Sequence, residues 1–185
     1  MSSFDFAALA RVNTAALNHR CLIRQTPEDF RVEEQLPFEP AGQGPHVMLQ
    51  ITKTDTNTDW LAKQLAQVAG VEEVAICYAG LKDRHAVTTQ WFSVNTEGVT
   101  EPDWSAFNSD LITINQITLH NKKLKRGVLS GNRFTLNLTV VEGDKQSWES
   151  ALSQVQKDGV PNYFGEQRFG HQMNNLQEGE HQSLI

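Results

Sequence analysis

Two residue periods alternate along this sequence, and their order constrains the fold more than any other feature. The clearest strand spans Arg133–Val140, where every second residue is apolar, as in a strand with one buried face. Val47, Leu49 and Ile51 repeat that period in a segment predicted to be half-buried. Shorter segments with strand character follow the turn at Thr26 and cover residues 74–78, 87–94 and 111–119.

Apolar residues recur at helical spacing in two further segments. The first covers residues 59–69, with Thr58 as the expected N-cap and Gly70 at the C-terminal stop. The second runs from an Asp144 cap to Asp158 and ends before Gly159. The resulting order is strand, helix, several strands, helix. It predicts an α+β fold with a largely antiparallel sheet, rather than regular βαβ alternation.

Composition narrows the class of protein. The 185 residues are 39% hydrophobic and 21% charged, which is ordinary for a globular chain and argues against wholesale disorder or a disulfide-stapled miniprotein. No apolar stretch approaches the ~20 residues of a membrane helix, and the N-terminus has no signal-peptide pattern. Cys21 and Cys77 lie far apart. We therefore expect two reduced thiols, a cytoplasmic location and no membrane partner.

Charge is unevenly distributed along the chain. The formal net charge is −6, yet residues 111–141 contain no acid and five cations. Four of these form a basic segment, Lys122, Lys123, Lys125 and Arg126, which either contacts nucleic acid or is a solvated loop. The P-loop, G-x-S-x-G and H-E-x-x-H motifs do not occur, and the six histidines lack metal-ligand spacing. We expect no metal site.

The segment from Tyr78 to Val94 is the best candidate for catalysis. Asp83 is its only acid and stands between Lys82 and Arg84, after a turn that Gly80 permits. Neighbouring cations would favour the carboxylate anion, which suits a nucleophile or a base. The alternative is a turn in which Asp83 caps backbone donors.

Two aromatic segments are candidates for contact with a nucleobase. Phe134 begins the clearest strand and either stacks on a base or packs in the core. Residues 162–170 contain three aromatics, two glycines and Arg168, and form either a nucleobase platform or a buried aromatic cluster.

Four motifs in this order resemble the tRNA pseudouridine synthase D family. They span about residues 22–176, and four motifs in order are far more specific than any one of them. The matching residues are Glu28-Asp29-Phe30 with Val32-Glu33; Ala79-Gly80, Lys82-Asp83, His85-Ala86-Val87-Thr88 and Gln90-Trp91; Gly131-Asn132 with Phe134-Thr135-Leu136; and residues 159–165 with Gln167-Arg168-Phe169-Gly170.

The resemblance implies an enzyme that converts a uridine of tRNA, usually position 13, to pseudouridine without a cofactor or metal. Asp83 falls on the family's catalytic aspartate. Phe30, Asn132 and Phe134 fall on active-site positions, and Arg24 falls where the family has a basic residue. We predict that these four residues and Lys82 bind substrate, and that the basic segment and Arg168 bind RNA. The oligomeric state and the tRNA species stay open.

The resemblance also implies the pseudouridine synthase catalytic fold, a mainly antiparallel mixed sheet flanked by helices. Family members are considerably longer, so we expect residues 1–158 to be the N-terminal portion of the catalytic domain. Residues 159–185 would be the last motif and the start of an inserted domain. The fold would then be incomplete, and the chain inactive by itself. Other interpretations are a non-catalytic RNA-binding module of the same fold or, less favoured, a carboxylate glycosidase.

Overall fold

The computed structural model describes residue 9 and residues 20–100, 102–161 and 163. The strands are β1 (Arg20–Leu22), β2 (Phe30–Gln35), β3 (His46–Thr54), β4 (Ile76–Tyr78), β5 (Val87–Asn95), β6 (Ile112–His120), β7 (Gly131–Leu136) and β8 (Thr139–Glu142). The helices are α1 (Thr58–Ala69) and α2 (Lys145–Asp158), and short 3-10 turns cover Pro27–Asp29, Glu73–Ala75 and Trp104–Phe107. Within the described residues, neither helix is long and apolar enough to cross a membrane.

The chain divides into two compact units. One spans Cys21–Thr139 and holds the main sheet, and the other consists of residues 1–20 with 140–185 and holds α2. In the second unit, α2 begins after Asp144, whose carboxylate accepts from Ser147 N, and ends at Gly159, as predicted. The predicted domain boundary after residue 158 stays a prediction.

The fold is α+β with a largely antiparallel main sheet, as predicted. Its strands follow the order β6-β3-β5-β2-β7, and every pairing is antiparallel except the parallel one between β2 and β5. β5 has β3 along one edge, while β2 and β4 share the other. Between those two short ladders Trp91 N donates to the Glu34 carboxylate instead. The sheet therefore divides at this point, beside the loop that joins β4 to β5.

The core lies between the sheet and α1. The apolar face of α1 packs on inward residues of β3 and β5, and the buried members are Val47, Leu49, Ile51, Leu61, Leu65, Phe92 and Val94. A smaller cluster of Met48, Trp91 and Leu124 covers the opposite face. β3 is therefore buried on both faces around Met48. The expectation of a half-buried strand was wrong there, because Leu124 from the basic segment covers the second face.

Three predicted elements differ locally from the structure. Asn57 caps α1, and Thr58 is its first helical residue, since the Asn57 side chain accepts from Asp59 N and Trp60 N. β4 begins at Ile76 because a 3-10 turn precedes it and leaves Val74 exposed. The predicted strand Arg133–Val140 is broken between β7 and β8, where Asn137 N donates to Asp29 O.

Candidate active site

Residues 79–86, which we call the 79–86 loop, connect β4 to β5 and carry Asp83. Backbone groups of the loop bond to three different neighbours. Gln90 Nε2 donates to Gly80 O at 3.3 Å, Lys82 N donates to Thr58 Oγ1 at 3.1 Å, and Gly127 N donates to Ala79 O at 2.7 Å. Thr58 Oγ1 in turn donates to Gln90 Oε1 at 3.0 Å inside the core. The loop is therefore held to α1, β5 and the segment before β7.

A buried ion pair fixes the middle of the same loop. Lys82 Nζ lies 2.5 Å from Glu34 Oε2, and the two side chains are 6% and 0% exposed. The second carboxylate oxygen of Glu34 accepts from Trp91 N at 3.2 Å. This arrangement compensates both charges in a site with little water. The observed partner of Lys82 is thus Glu34, and direct contact between Lys82 and substrate stays a prediction.

The Asp83 carboxylate pairs with Arg24 rather than with its sequence neighbours. Arg24 Nη2 lies 3.2 Å from Asp83 Oδ2, and the Asp83 side chain remains 42% exposed. The expectation that Lys82 and Arg84 are the cations beside the Asp83 carboxylate was wrong. Lys82 pairs with Glu34, and Arg84 Nε lies 3.8 Å from Asp55 Oδ1. Arg24 has a φ of 54°, a left-handed conformation rare outside glycine and enriched at functional sites.

Arg24 also joins the carboxylate to a pair of aromatic rings. Its guanidinium carbon lies 3.7 Å from the centroid of the Phe30 ring, a cation–π contact. Phe30 stacks against Phe134, with ring centroids 6.0 Å apart and planes inclined by 20°. Phe30 is 6% exposed and Phe134 is 55% exposed. The interpretation of Phe134 as a core residue is therefore wrong, and stacking of its ring on a base stays a prediction.

Asn132 lies on the same face of β7 as Phe134, two residues away. It is paired across the strands with Glu34, while Phe134 is paired with Val32. Among the described residues, the Oδ1 atom of Asn132 is buried and has no hydrogen-bond partner. A buried amide oxygen without a partner is uncommon and is available for a ligand donor.

Lys53 reaches the loop from the interior of the sheet. Its side chain is fully buried, and its Nζ donates to Thr56 O at 2.5 Å and to Asp83 O at 3.1 Å. Burial lowers its pKa from the usual 10.5 to about 8; Asp83 opposes that shift, and Lys82 adds to it. A cation therefore lies directly behind the backbone of Asp83.

The basic segment ends beside the same loop. The buried Leu124 side chain anchors it, Leu124 N donates to Ser93 Oγ, and the Gly127–Ala79 bond ties its end to the loop. Lys122, Lys123 and Lys125 are exposed. Arg126 lies over the Tyr78 ring at 4.3 Å and donates to its hydroxyl, beside a cavity of about 470 Å³. Arg168 lies outside the described residues.

Sequence reasoning named Asp83, Arg24, Phe30, Phe134 and Asn132, and the structure brings them to one face of β2, β7 and the loop. It missed Lys53 and Glu34. The sequence does indicate both, since each lies at the next inward-facing position of a strand whose other inward residues are apolar. Lys53 follows Val47, Leu49 and Ile51 in steps of two, and Glu34 follows Phe30 and Val32. A charged residue at an inward position requires a partner, which here is the loop.

Comparison with solved structures defines the class of fold. The chain matches a protein from Methanosarcina mazei that is described as a tRNA pseudouridine synthase D, with 29% identity and a TM-score of 0.67, over 85% of this chain and 38% of that one. The architecture is therefore the pseudouridine synthase fold. The family model for tRNA pseudouridine synthase D matches residues 13–181, and the chain belongs to that family.

Curated relatives agree with this assignment. The chain is 54% identical over 156 residues to tRNA pseudouridine synthase D of Methylococcus capsulatus and 51% identical over 158 residues to that of Nitrosococcus oceani. These alignments cover 84% and 85% of this chain and 44% of each relative. The chain thus spans less than half the length of the curated relatives that it matches.

Proposed function

We propose that this chain supplies the catalytic carboxylate of a tRNA pseudouridine synthase, which isomerises a uridine of tRNA, at position 13, with Asp83 and no cofactor. The observation that carries the proposal is the Asp83–Arg24 pair at 3.2 Å, at the open end of a loop that buried groups hold on three sides. Family membership supports tRNA as the substrate class. Family membership favours a cytoplasmic enzyme, and the 42% exposure of the Asp83 side chain leaves the carboxylate accessible to a large substrate.

The reaction asks for one carboxylate that is free to act. The glycosidic C1′–N1 bond of uridine breaks, the base turns, and a C1′–C5 bond forms. The C5 proton passes to solvent and N1 gains a proton, so the isomerisation balances without oxidant, reductant or co-substrate. A carboxylate can attack C1′ or remove the C2′ proton, and both routes need Asp83 as an anion. The Arg24 guanidinium lies 3.2 Å from that carboxylate.

The face around Asp83 offers groups that suit a uracil ring. The exposed Phe134 ring, backed by Phe30, provides a stacking surface worth about 1–3 kcal/mol per base. That gain offsets the few kcal/mol needed to remove a nucleotide from its stack. The buried Oδ1 of Asn132 can accept from the uracil N3–H, which is the complementary donor on the base edge. We assign Arg24 to orient the carboxylate as substrate binds.

The basic segment supplies cations for the RNA backbone near the loop. Lys122, Lys123 and Lys125 are exposed, and the Gly127–Ala79 hydrogen bond holds this segment against the start of the loop. Phosphate contacts supply most of the affinity of such complexes and depend on salt. Arg126 is engaged by Tyr78, so we assign the larger contribution to the lysines. A phosphate contact by Arg168 remains part of the proposal.

Tritium release from tRNA labelled at C5 of uridine tests the function directly. The full-length gene product should release one tritium per target uridine, and should release none from a transcript in which cytidine replaces uridine at position 13. Binding of tRNA without tritium release from either transcript would identify a non-catalytic RNA-binding module. Equal release from both would show that another uridine is the substrate.

A further inference from the structure

Lys53 is the only described lysine whose side chain is fully buried, and the reaction outlined above gives it no direct part. Its Nζ donates to two backbone oxygens, those of Thr56 and Asp83. Thr56 lies in the turn between β3 and α1, and Asp83 lies in the 79–86 loop. One ammonium group therefore joins the end of β3 to the residue proposed to be catalytic.

The surroundings of Lys53 explain why a charge here acts on Asp83. Its cross-strand neighbours are Thr88 on β5 and Ile112 on β6, neither of which titrates. Two charged groups act on it, the Asp83 carboxylate and the Lys82 ammonium. Lys82 is compensated by Glu34, and the side chains of Arg84 and His85, also in the loop, face Asp55. Asp83 is therefore the acidic group that interacts electrostatically with Lys53.

A lysine chosen only for stability would be an odd choice at this position. Burying an ammonium group costs free energy that hydrogen bonds must compensate. Lys53 has only carbonyl oxygens as direct partners, so its burial is compensated by hydrogen bonds and not by an adjacent carboxylate. The charge thus opposes stability while its geometry serves the loop.

We propose that Lys53 is a positioning residue for the reaction, which holds the backbone of Asp83 so that the carboxylate meets the sugar at C1′ or C2′. This inference rests on the proposed function. The ammonium form makes charge-assisted hydrogen bonds to both backbone oxygens, so the positioning weakens as Lys53 loses its proton. Because burial brings that pKa to about 8, the weakening begins at mildly alkaline pH.

Lys53→Met tests the inference, since methionine keeps an unbranched apolar chain and removes the charge. We expect kcat for pseudouridine formation to fall by ~10–100-fold, as for misplacement of a catalytic group, while KM for tRNA changes less than about threefold. In the wild type, kcat should fall above pH 8, and this alkaline limb should be absent from Lys53→Met. Lys63→Met, which removes an exposed lysine of α1, is the matched control and should retain wild-type kcat.

Hydrogen–deuterium exchange provides a readout that does not depend on turnover. Residues 80–86 should exchange faster in Lys53→Met than in the wild type at pH 7, and the two proteins should converge as the pH passes 8. An unchanged kcat in Lys53→Met, or a wild-type kcat that stays flat from pH 7 to 9.5, would overturn the positioning role while tritium release still supports the proposed function. If the wild type releases no tritium, the proposed function fails. Exchange of the 80–86 peptide that is the same in Lys53→Met as in the wild type would then also overturn the claim that Lys53 holds the loop.

Discussion

Replacing Lys82 by methionine removes one partner of the buried ion pair that holds the 79–86 loop. Glu34 is then left as a fully buried carboxylate whose one remaining hydrogen bond comes from Trp91 N at 3.2 Å. Removing one partner of a buried pair typically costs about 3–5 kcal/mol, since an uncompensated charge is left behind. For a domain of roughly 120 residues this corresponds to a fall of about 12–20 °C in Tm.

A second substitution in the pair distinguishes charge from packing. Glu34→Gln keeps an oxygen that accepts from Trp91 N, so the double variant Lys82→Met/Glu34→Gln leaves no charge at this buried pair. We expect it to recover at least ~2 kcal/mol relative to Lys82→Met, the size of coupling found for interacting residues. A double variant as unstable as Lys82→Met would assign the loss to packing.

The adjacent residue in the same strand provides the matched control. Glu33 pairs with Arg133 at 3.6 Å on the opposite face of β2 and β7, and both side chains are largely exposed. Such pairs contribute about 0–1 kcal/mol, so Glu33→Gln should unfold close to the wild type in urea. The measurement is urea unfolding of each variant at pH 7. A free energy for Lys82→Met within about 1 kcal/mol of the wild type would refute the reasoning.

Two further predictions concern substrate contacts. Phe134→Ala should weaken transition-state stabilisation by about 1–3 kcal/mol, seen as a roughly 5–150-fold fall in kcat/KM. Phe134→Tyr keeps an aromatic ring and should stay within about threefold of the wild type. Equal kcat/KM values for the two variants would show that the ring does not stack on the substrate. Neutralising Lys122 and Lys123 together should reduce the slope of log affinity against log salt by roughly one to two units and leave single-turnover chemistry nearly unchanged; an unchanged slope would return the basic segment to a solvated loop.

The fold class could be predicted from the sequence because the spacing of apolar residues is a local property of the chain. Alternation at β3 and helical spacing over α1 appear in the printed sequence and persist in the structure. The burial of Met48 on the second face of β3 could not be read locally, since it depends on Leu124, which is distant along the chain. The break after Leu136 likewise depends on a bond from Asn137 to Asp29.

Several residues of the candidate site were named from the sequence, but Lys53, Glu34 and the pairings were not. Motif resemblance named Asp83 and Arg24 separately, while charge adjacency suggested Lys82 and Arg84 as the partners of Asp83. In the structure the partner of Asp83 comes from residue 24, because the turn before β2 lies beside the 79–86 loop. Ion pairs of this kind join residues that are distant in the sequence. They depend on the tertiary fold, which sequence spacing does not reveal.

The central claim is that the exposed Asp83 carboxylate performs the isomerisation, and Asp83→Asn in the full-length gene product tests it most directly. The assay measures tritium release and tRNA binding in parallel, with Glu33→Gln as the control from the opposite face of the same strands. We predict that Asp83→Asn loses at least about 1000-fold in turnover, as expected for removal of a catalytic base or nucleophile, and binds tRNA within about tenfold of the wild type. Turnover of Asp83→Asn within tenfold of the wild type, with Glu33→Gln fully active, would contradict the account.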